Sequence, residues 1–167
     1  MNDTIRDIEL FLRRADFAVR VEGRKVLSSL GVTPPQFTAL QFIVKYKDNP
    51  ISIGDLSRSM GLAFSTVTDL IDRMEKLGFV ERKKDEKDKR VIRISPLEKG
   101  VHILDEVVDH RVNFVDSVIE GHYTDEEKKH VRDELKKLSE LLKENKDILE
   151  KKNEYVYQES SIWMALF

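Results

Sequence analysis

The feature that most constrains the fold is the stretch of residues 52–95, in which two short helical patterns meet at a tight turn and a hairpin pattern follows. Ser52 can cap the first helix, over residues 53–60, and residues 61–63 can make the turn. The second helix carries an apolar stripe and ends at Gly78, which suits a left-handed cap. The stripe consists of Val67, Leu70, Ile71, Met74 and Leu77. Residues 79–82 and 91–94 alternate as strands do, so we expect a loop over residues 83–90.

Longer helical patterns lie on both sides of this stretch. The first ends near Gly31, and a second begins at the capping box that Thr33 forms with Gln36. After the hairpin, residues 95–98 read as another capping box, with Ser95 as the cap of a fifth helix, and Thr124 can cap a sixth. We therefore predict a mainly α fold: a winged helix-turn-helix with a two-stranded β-wing, flanked by long N- and C-terminal helices.

The composition argues against several classes of function. The 167 residues include no cysteine, which excludes disulfides, thiolate catalysis and cysteine–zinc sites. The first residues do not resemble a signal peptide, and no segment approaches the roughly 20 apolar residues of a membrane span, so we expect a cytoplasmic protein without a membrane partner. The sequence contains no glycine-rich phosphate loop and no recognisable catalytic arrangement. We predict that the protein is not an enzyme and needs no cofactor.

The second short helix and the hairpin carry the residue types that contact DNA. Short hydroxyl side chains can reach base edges in the major groove, and a helix N-terminus favours phosphate. The candidates on the helix are Ser65, Thr66 and Thr68, with Arg58 and Arg73 placed to reach phosphates on either side. Although the net charge of the chain is −2, residues 82–93 contain seven Lys or Arg against three Asp or Glu. The basic side chains of the wing are Arg82, Lys83, Lys84, Lys87, Lys89 and Arg90.

Each of these clusters also has a simpler explanation. The hydroxyl residues could be a helix cap with an ordinary polar face, and the lysines could be a solvated loop. Neither explanation accounts for the position of the lysines between two strands directly after a helix-turn-helix. Their combination favours DNA contact, with an arginine able to enter the minor groove.

The sequence resembles the MarR family of bacterial and archaeal transcription regulators over roughly residues 5–148. The matching motifs are Val32-Thr33-x-x-Gln36-Phe37-x-x-Leu40, Leu56-Ser57, residues 65–82 (STVTDLIDRMEKLGFVER), Asp88-x-Arg90 and Glu98-Lys99-Gly100. The resemblance implies that Asp88 orders the wing and that Arg90 contacts DNA from the wing tip. It also implies a homodimer joined through the terminal helices and release of DNA by a small aromatic or anionic ligand. We accordingly divide the chain into a helical dimerisation region (1–31 with 96–150), a DNA-binding domain (32–95) and a C-terminal extension (151–167).

The terminal helices carry apolar stripes that favour a homodimer, because such stripes are unfavourable in water. The residues expected at the dimer interface are Ile5, Ile8, Leu12, Leu135, Leu138, Leu142 and Leu149. Asn145 lies at a heptad core position, where it is either a chance polar residue or a buried pair that fixes the register of a dimer. The extension could lengthen the dimer arm, bind a partner or be loosely ordered, and the sequence does not decide among these.

Two further sets of residues leave alternatives open. His102, Glu106 and His110 share one face of the fifth helix, but this spacing is commoner for surface pairs than for metal sites, so we predict no metal. Candidates for a ligand pocket are Phe11, Phe17, Arg20, Phe37, Gln41, Tyr46 and His110, which could equally belong to the core.

The function that these features predict is a sequence-specific DNA-binding transcription regulator. We expect a ligand-responsive repressor that binds a palindromic operator in double-stranded DNA as a homodimer. The alternative is a winged helix used for protein contacts or dimerisation, without DNA binding. Such a module would show no steep salt dependence of DNA binding, whereas a DNA-binding protein would.

Overall fold

The computed structural model describes residues 3–152, with the backbone alone for residues 146–152. The order of elements is α1 (Asp3–Ser29), α2 (Pro34–Lys45), β1 (Ile51–Ser52), α3 (Ile53–Met60), α4 (Phe64–Lys76), β2 (Val80–Lys84), β3 (Ile92–Pro96), α5 (Glu98–Ile119) and α6 (Asp125–Lys152). The predicted fold class is confirmed: the chain is mainly helical, and α3, α4 and the β2–β3 hairpin form a winged helix-turn-helix.

Local capping chemistry sets several helix boundaries as predicted. The Ser52 hydroxyl accepts a hydrogen bond from the backbone N–H of Asp55 (3.1 Å), which caps α3. The Thr33 N–H donates to the Gln36 side chain (2.8 Å) at the start of α2. At the start of α6, the N–H of Thr124 donates to Glu127 Oε2 (2.8 Å). Helix α4 is followed by Gly78 in the left-handed conformation, with φ of 72°.

The sheet differs from the prediction in having a third strand. The order is β1-β3-β2 with antiparallel pairing, and Ile51 of β1 pairs with Ile94 of β3. Strand β2 also continues two residues further than expected, because Lys83 and Lys84 pair with Arg93 and Ile92, and β3 begins one residue later than expected, at Ile92. A strand predicted from alternating apolar and polar residues ends where two polar residues follow each other. Lys83 and Lys84 were therefore expected in the loop, although both are exposed residues of β2. The loop of the wing therefore covers residues 85–91 only.

The prediction that Ser95 caps α5 is wrong. Ser95 and Pro96 belong to β3, where they pair with Glu81 and Val80. Helix α5 begins at Glu98 with Leu97 at its N-cap, and the Leu97 N–H donates to the Phe79 carbonyl (3.0 Å). Pairing across the hairpin outweighs the local capping signal, because extending the ladder satisfies several backbone groups at once.

The core lies where α2, α3, α4, α5 and the sheet meet. Its fully buried side chains include Leu40, Ile43, Leu56, Ile71, Met74, Ile94 and Val107. Most of the predicted α4 stripe points into this core, but Leu77 is 43% exposed because the helix ends one residue earlier, at Lys76. The packing holds α4 and the wing in one fixed unit.

The terminal helices are packed less completely than the core. Helix α1 packs along α5, whereas α6 has no extensive contact with another element of the part of the chain that is described. Large apolar side chains of all three helices are exposed, among them Ile5, Ile8, Phe11, Val108, Val112, Leu135 and Leu142. None of the helices between residues 3 and 152 is long and apolar enough to cross a membrane.

Candidate nucleic-acid interface

The turn between α3 and α4 is held by hydrogen bonds at both of its ends. Gly61 takes the left-handed conformation, with φ of 63°. The Ser57 hydroxyl donates to the Leu62 carbonyl (2.6 Å), and the Leu62 N–H donates back to the Ser57 carbonyl (3.2 Å). These bonds fix the angle at which the N-terminal end of α4 leaves α3.

The first two turns of α4 present the predicted hydroxyl residues. Ser65 and Thr66 are exposed, and Thr68 is half-buried. The Thr68 hydroxyl donates to the Phe64 carbonyl (2.8 Å), so its oxygen is left to act as an acceptor. The N-cap is Ala63, whose side chain cannot satisfy the first N–H groups of the helix. Those N–H groups and the helix dipole suit an anion such as phosphate.

Arg82 does not belong to the exposed basic group of the wing, contrary to the prediction. Its side chain is 20% exposed and lies against α4, where Nη1 is 2.6 Å from an Asp72 carboxylate oxygen and 2.9 Å from Glu75. Nη2 donates to the Thr68 carbonyl (3.3 Å). Arg82 therefore joins β2 to α4 and fixes the wing relative to the helix.

The turn of the wing is organised by Asp85, which sequence reasoning missed. Its carboxylate accepts hydrogen bonds from the N–H groups of Asp88 and Lys87 (both 2.9 Å) and from Arg93 Nε (2.8 Å). These bonds, the one from the Asp88 N–H above all, lower the pKa of Asp85 to about 2. Arg93 also donates to the Pro50 carbonyl (3.2 Å), which ties the wing to the segment before β1. The sequence did contain a signal for this role. An aspartate at the start of a turn commonly accepts hydrogen bonds from the backbone N–H groups two and three residues later.

Asp88 and Arg90 form the pair that the sequence suggested. The Asp88 carboxylate accepts from the Arg90 N–H (3.0 Å), Nε (3.1 Å) and Nη2 (3.2 Å). The Arg90 side chain, chiefly through its hydrogen bonds, lowers the pKa of Asp88. The Arg90 side chain is nevertheless 91% exposed. It is thus oriented by Asp88 while its guanidinium stays accessible to a partner.

The other predicted basic residues are exposed on the same unit. Lys84 ends β2, and Lys87 and Lys89 lie in the wing loop. Lys83 is paired with Glu81, and Arg58 on α3 is paired with Asp55. Arg73 is exposed on α4, beyond the hydroxyl residues. The structure thus presents hydroxyl side chains near a helix end and a positively charged hairpin, an arrangement that can bind the grooves and phosphates of DNA.

A tight joint connects α5 to the C-terminal end of α4. Lys99 Nζ donates to the Leu77 carbonyl (3.0 Å) and lies 5.2 Å from the centre of the Phe79 ring. Gly100 lies against the backbone, where a Cβ would be 2.2 Å from the Phe79 carbonyl oxygen. Lys99 and Gly100 therefore tie the start of α5 to the base of the wing.

Two buried polar atoms without a partner lie at the junction of α1, α2 and α5. Within the described residues, Gln41 Oε1 and Arg111 Nε are buried and make no hydrogen bond. The Arg111 guanidinium lies 5.6 Å from the centre of the Phe37 ring and fills the space left by the missing side chain of Gly23. Burial lowers the pKa of Arg111. Phe37 and Gln41 were candidates from the sequence, whereas Arg111 was missed because nothing local distinguishes it.

The remaining ligand candidates are distributed more widely. Phe11, Phe17 and Tyr46 are exposed, and Arg20 pairs with Asp16 on α1. His110 Nε2 is 3.4 Å from Glu22 Oε2, whereas His102 is 3.8 Å from Glu106. The two histidines thus have different partners, and the described residues contain no group of three or more His, Cys, Asp or Glu suited to a metal ion. Asn145 is exposed, and its amide donates to the Leu141 carbonyl (2.8 Å).

Comparison with known proteins agrees with the geometry of this site. The MarR family model matches residues 32–92, which contain the helix-turn-helix and most of the hairpin. The chain is 44% identical over 123 residues to the uncharacterised HTH-type transcriptional regulator YsmB of Bacillus subtilis, covering 74% of this chain and 82% of that protein. It is 28% identical over 123 residues to the HTH-type transcriptional repressor YetL of the same organism, covering 72% and 73%.

A solved structure extends the agreement to the terminal helices. The structure of a MarR family protein from Bacillus stearothermophilus has a TM-score of 0.72 and 39% identity, and the match covers 86% of this chain and 99% of that one. Fold, sequence motifs and relatives indicate transcription regulation and not enzymatic catalysis. The chain belongs to the MarR family of DNA-binding transcription regulators.

Proposed function

We propose that the protein is a sequence-specific, ligand-responsive repressor that binds a palindromic operator as a homodimer. The observation that carries the proposal is the contrast between its two ends. One end presents the hydroxyl residues of α4 and a basic wing, and the other presents long apolar helix faces on which no other described element packs extensively. The site of action, and therefore the proposed location, is the cytoplasm, where operator DNA lies. The relative YetL is a transcriptional repressor, which supports repression as the sign of regulation.

The homodimer is supported by α6 above all. Most helical stability in proteins comes from the packing of an apolar face, yet α6 runs from Asp125 to Lys152 without extensive contact to another described element. Leu135 and Leu142 are exposed on it, and Ile5 and Ile8 are exposed on α1. A second copy would bury these faces in an interface of about 2,000 Å² or more, the size typical of obligate dimers. Leu12 and Leu138 are half-buried and lie on the same helices, whereas the side chain of Leu149 and the extension from residue 153 onward fall outside the described residues.

Operator recognition would use each exposed residue type for a separate task. Ser65, Thr66 and Thr68 meet base edges in the major groove, and Arg58 and Arg73 meet phosphates beside it. Lys83, Lys84, Lys87 and Lys89 follow the backbone along the wing, and Arg90 enters the minor groove. A twofold axis would place two α4 helices about one helical turn apart, roughly 34 Å, which is why the operator should be palindromic.

A small aromatic or anionic ligand would act at the junction of α1, α2 and α5. Gln41 Oε1 and Arg111 Nε are buried there without partners beside the Phe37 ring, and unsatisfied buried polar atoms are costly until a ligand or water satisfies them. Because α5 is joined to Phe79 and Leu77 through Gly100 and Lys99, a shift of α5 would reach the wing.

The test combines oligomeric state with DNA affinity. The protein is used to select duplexes from random-sequence DNA, and sedimentation velocity and fluorescence anisotropy then give the stoichiometry and the affinity over a range of salt. We expect a dimer on a palindromic duplex, with affinity falling at a slope of about −0.9 per phosphate contacted. A monomer that binds the selected duplex one copy at a time would contradict the proposal, as would binding without salt dependence.

The ligand part has its own test. Benzoate and its ring-substituted derivatives are titrated into the protein–operator complex, with benzyl alcohol as the neutral aromatic control. We expect one or more of the carboxylates to release DNA, and Arg111→Gln to require a higher concentration of the same carboxylate. If the same carboxylate concentration releases DNA from the Arg111→Gln variant, Arg111 is not part of the ligand site.

A further inference from the structure

An exposed apolar run stands at the leading end of α4, among groups suited to DNA. Leu62 is 38% exposed, Ala63 is exposed and Phe64 is 59% exposed. Three consecutive exposed apolar residues are unfavourable in a protein surface unless a partner covers them. Phe64 is the largest of the three and is the first residue of the helix. Its exposure therefore points to a function on the surface and not to the core.

The surroundings of Phe64 identify what could cover it. Its carbonyl accepts the hydrogen bond from Thr68, and Ser65 and Thr66 follow it directly. Residues four apart in a helix are neighbours on its surface, so Phe64 and Thr68 lie on the same face of α4. The wing beside α4 carries exposed Lys84, Lys87 and Arg90. The combination of an exposed aromatic ring with hydroxyl and basic side chains suits a polyanion that exposes an apolar group between its charged strands.

Duplex DNA offers one such group in the major groove. The C5-methyl of thymine is its apolar feature, and phenylalanine is among the side chains that contact it favourably. An apolar ring gains nothing from phosphate, which the lysines and the uncapped helix N-terminus can bind instead. We propose that Phe64 determines specificity by packing on a thymine methyl group beside the base pair that Thr68 reads. The inference rests on the proposed operator binding and adds a residue and a base preference to it.

The experiment removes the methyl group without changing any hydrogen bond. A duplex selected by the protein from random-sequence DNA is prepared with each thymine replaced in turn by deoxyuridine, and affinities are measured for the parent protein and for Phe64→Ala. For the parent protein, we expect one thymine in each half-site whose replacement weakens binding about fourfold, the worth of roughly one buried methylene. For Phe64→Ala, binding to the unmodified duplex is weaker, and replacement of that thymine has no further effect.

Leu77→Ala is the matched control, because Leu77 is also an exposed apolar residue of the same unit, at the other end of α4. This variant should keep the full effect of the thymine methyl group. Thermal unfolding checks that Phe64→Ala is folded, which its exposure leads us to expect.

The outcomes separate this inference from the function on which it rests. If the parent protein selects a salt-sensitive operator but no thymine methyl matters, or if the methyl effect is the same in Phe64→Ala, the inference about Phe64 is wrong and operator binding stands. If Phe64→Ala binds the operator as tightly as the parent, a protein partner for residues 62–64 becomes the better explanation. If the parent selects no sequence at all, the proposed function and the inference fail together.

Discussion

At the scale of single residues, Asp85 is expected to set the stability of the wing through its charge. Its folded pKa of about 2 lies below the ordinary value of 3.8, because it accepts hydrogen bonds from Asp88, Arg93 and Lys87. A depressed pKa means that the stabilisation is complete above about pH 4 and is lost as the pH falls towards 2. We therefore expect Asp85→Asn to lower the Tm at pH 7, and the difference in Tm to vanish as the pH approaches 2. Circular dichroism melts of both proteins measure this, with exposed Glu86→Gln as the control that leaves Tm unchanged.

Arg90 is the residue for which affinity and stability should separate most clearly. Its side chain is 91% exposed and contacts Asp88, so its removal should change the free energy of unfolding by less than about 0.5 kcal/mol. Arg90→Ala should weaken operator binding by about 1–3 kcal/mol, which is typical of a specific arginine contact. Fluorescence anisotropy and thermal melts give the two quantities. Lys129→Ala removes one positive charge from an exposed position on α6, and equal loss of affinity in that control would mean that only net charge matters.

At the scale of elements, α4 and the wing are expected to make different kinds of contact. Thr68→Ala should cost about 1–2 kcal/mol on the selected operator and little on random DNA, because base-edge contacts carry the specificity. Lys84→Ala or Lys87→Ala should weaken binding to both DNAs and reduce the salt slope by about one unit each. Parallel titrations on the two DNAs at several salt concentrations make the comparison. Equal losses on both DNAs for Thr68→Ala would exclude base readout by α4.

The joint between α5 and the wing gives a stability prediction for the same scale. A Cβ at Gly100 would lie 2.2 Å from the Phe79 carbonyl oxygen and 3.0 Å from Leu40 Cδ2, and both neighbours belong to the packed interior. Gly100→Ala should lower the free energy of unfolding by about 3 kcal/mol, at the upper end for an overpacked site. Urea unfolding measures the loss. Gly54→Ala is the control, because a Cβ there would lie no closer than 3.8 Å to another atom, the Ser52 hydroxyl oxygen. Gly31→Ala is not suitable, because φ at Gly31 is positive.

At the scale of the whole molecule, the terminal helices should depend on a second copy of the chain. Leu142 is exposed and Leu138 half-buried on α6, and two aspartates there would place charges in the proposed interface. We expect Leu138→Asp with Leu142→Asp to give either an unfolded chain or a monomer that no longer binds the operator. Light scattering and gel-shift titration detect both results. A parent protein that is a folded monomer would overturn this prediction. Lys137→Asp, at an exposed position beside them, changes the charge by the same two units and is the control for added charge.

The sequence by itself determined most of the helices, because capping acts within three or four residues. Ser52, Thr33 and Thr124 begin helices where their local pattern predicts, and the MarR motifs locate α4 and the wing. The residue types exposed on α4 and the wing could also be read locally, since short hydroxyls and lysines need no partner from a distant segment.

Only the tertiary structure decided the features that depend on segments far apart in the chain. Pairing with β2 draws Ser95 into the sheet although its own sequence favours a helix cap, and Ile51 becomes a strand through Ile94. Arg82 is held by Asp72 and Glu75 and so is not part of the exposed basic group, while Arg111 packs over Phe37. In each case a contact across many residues outweighs a local preference of about 1 kcal/mol, and such contacts have no signature in the neighbouring sequence.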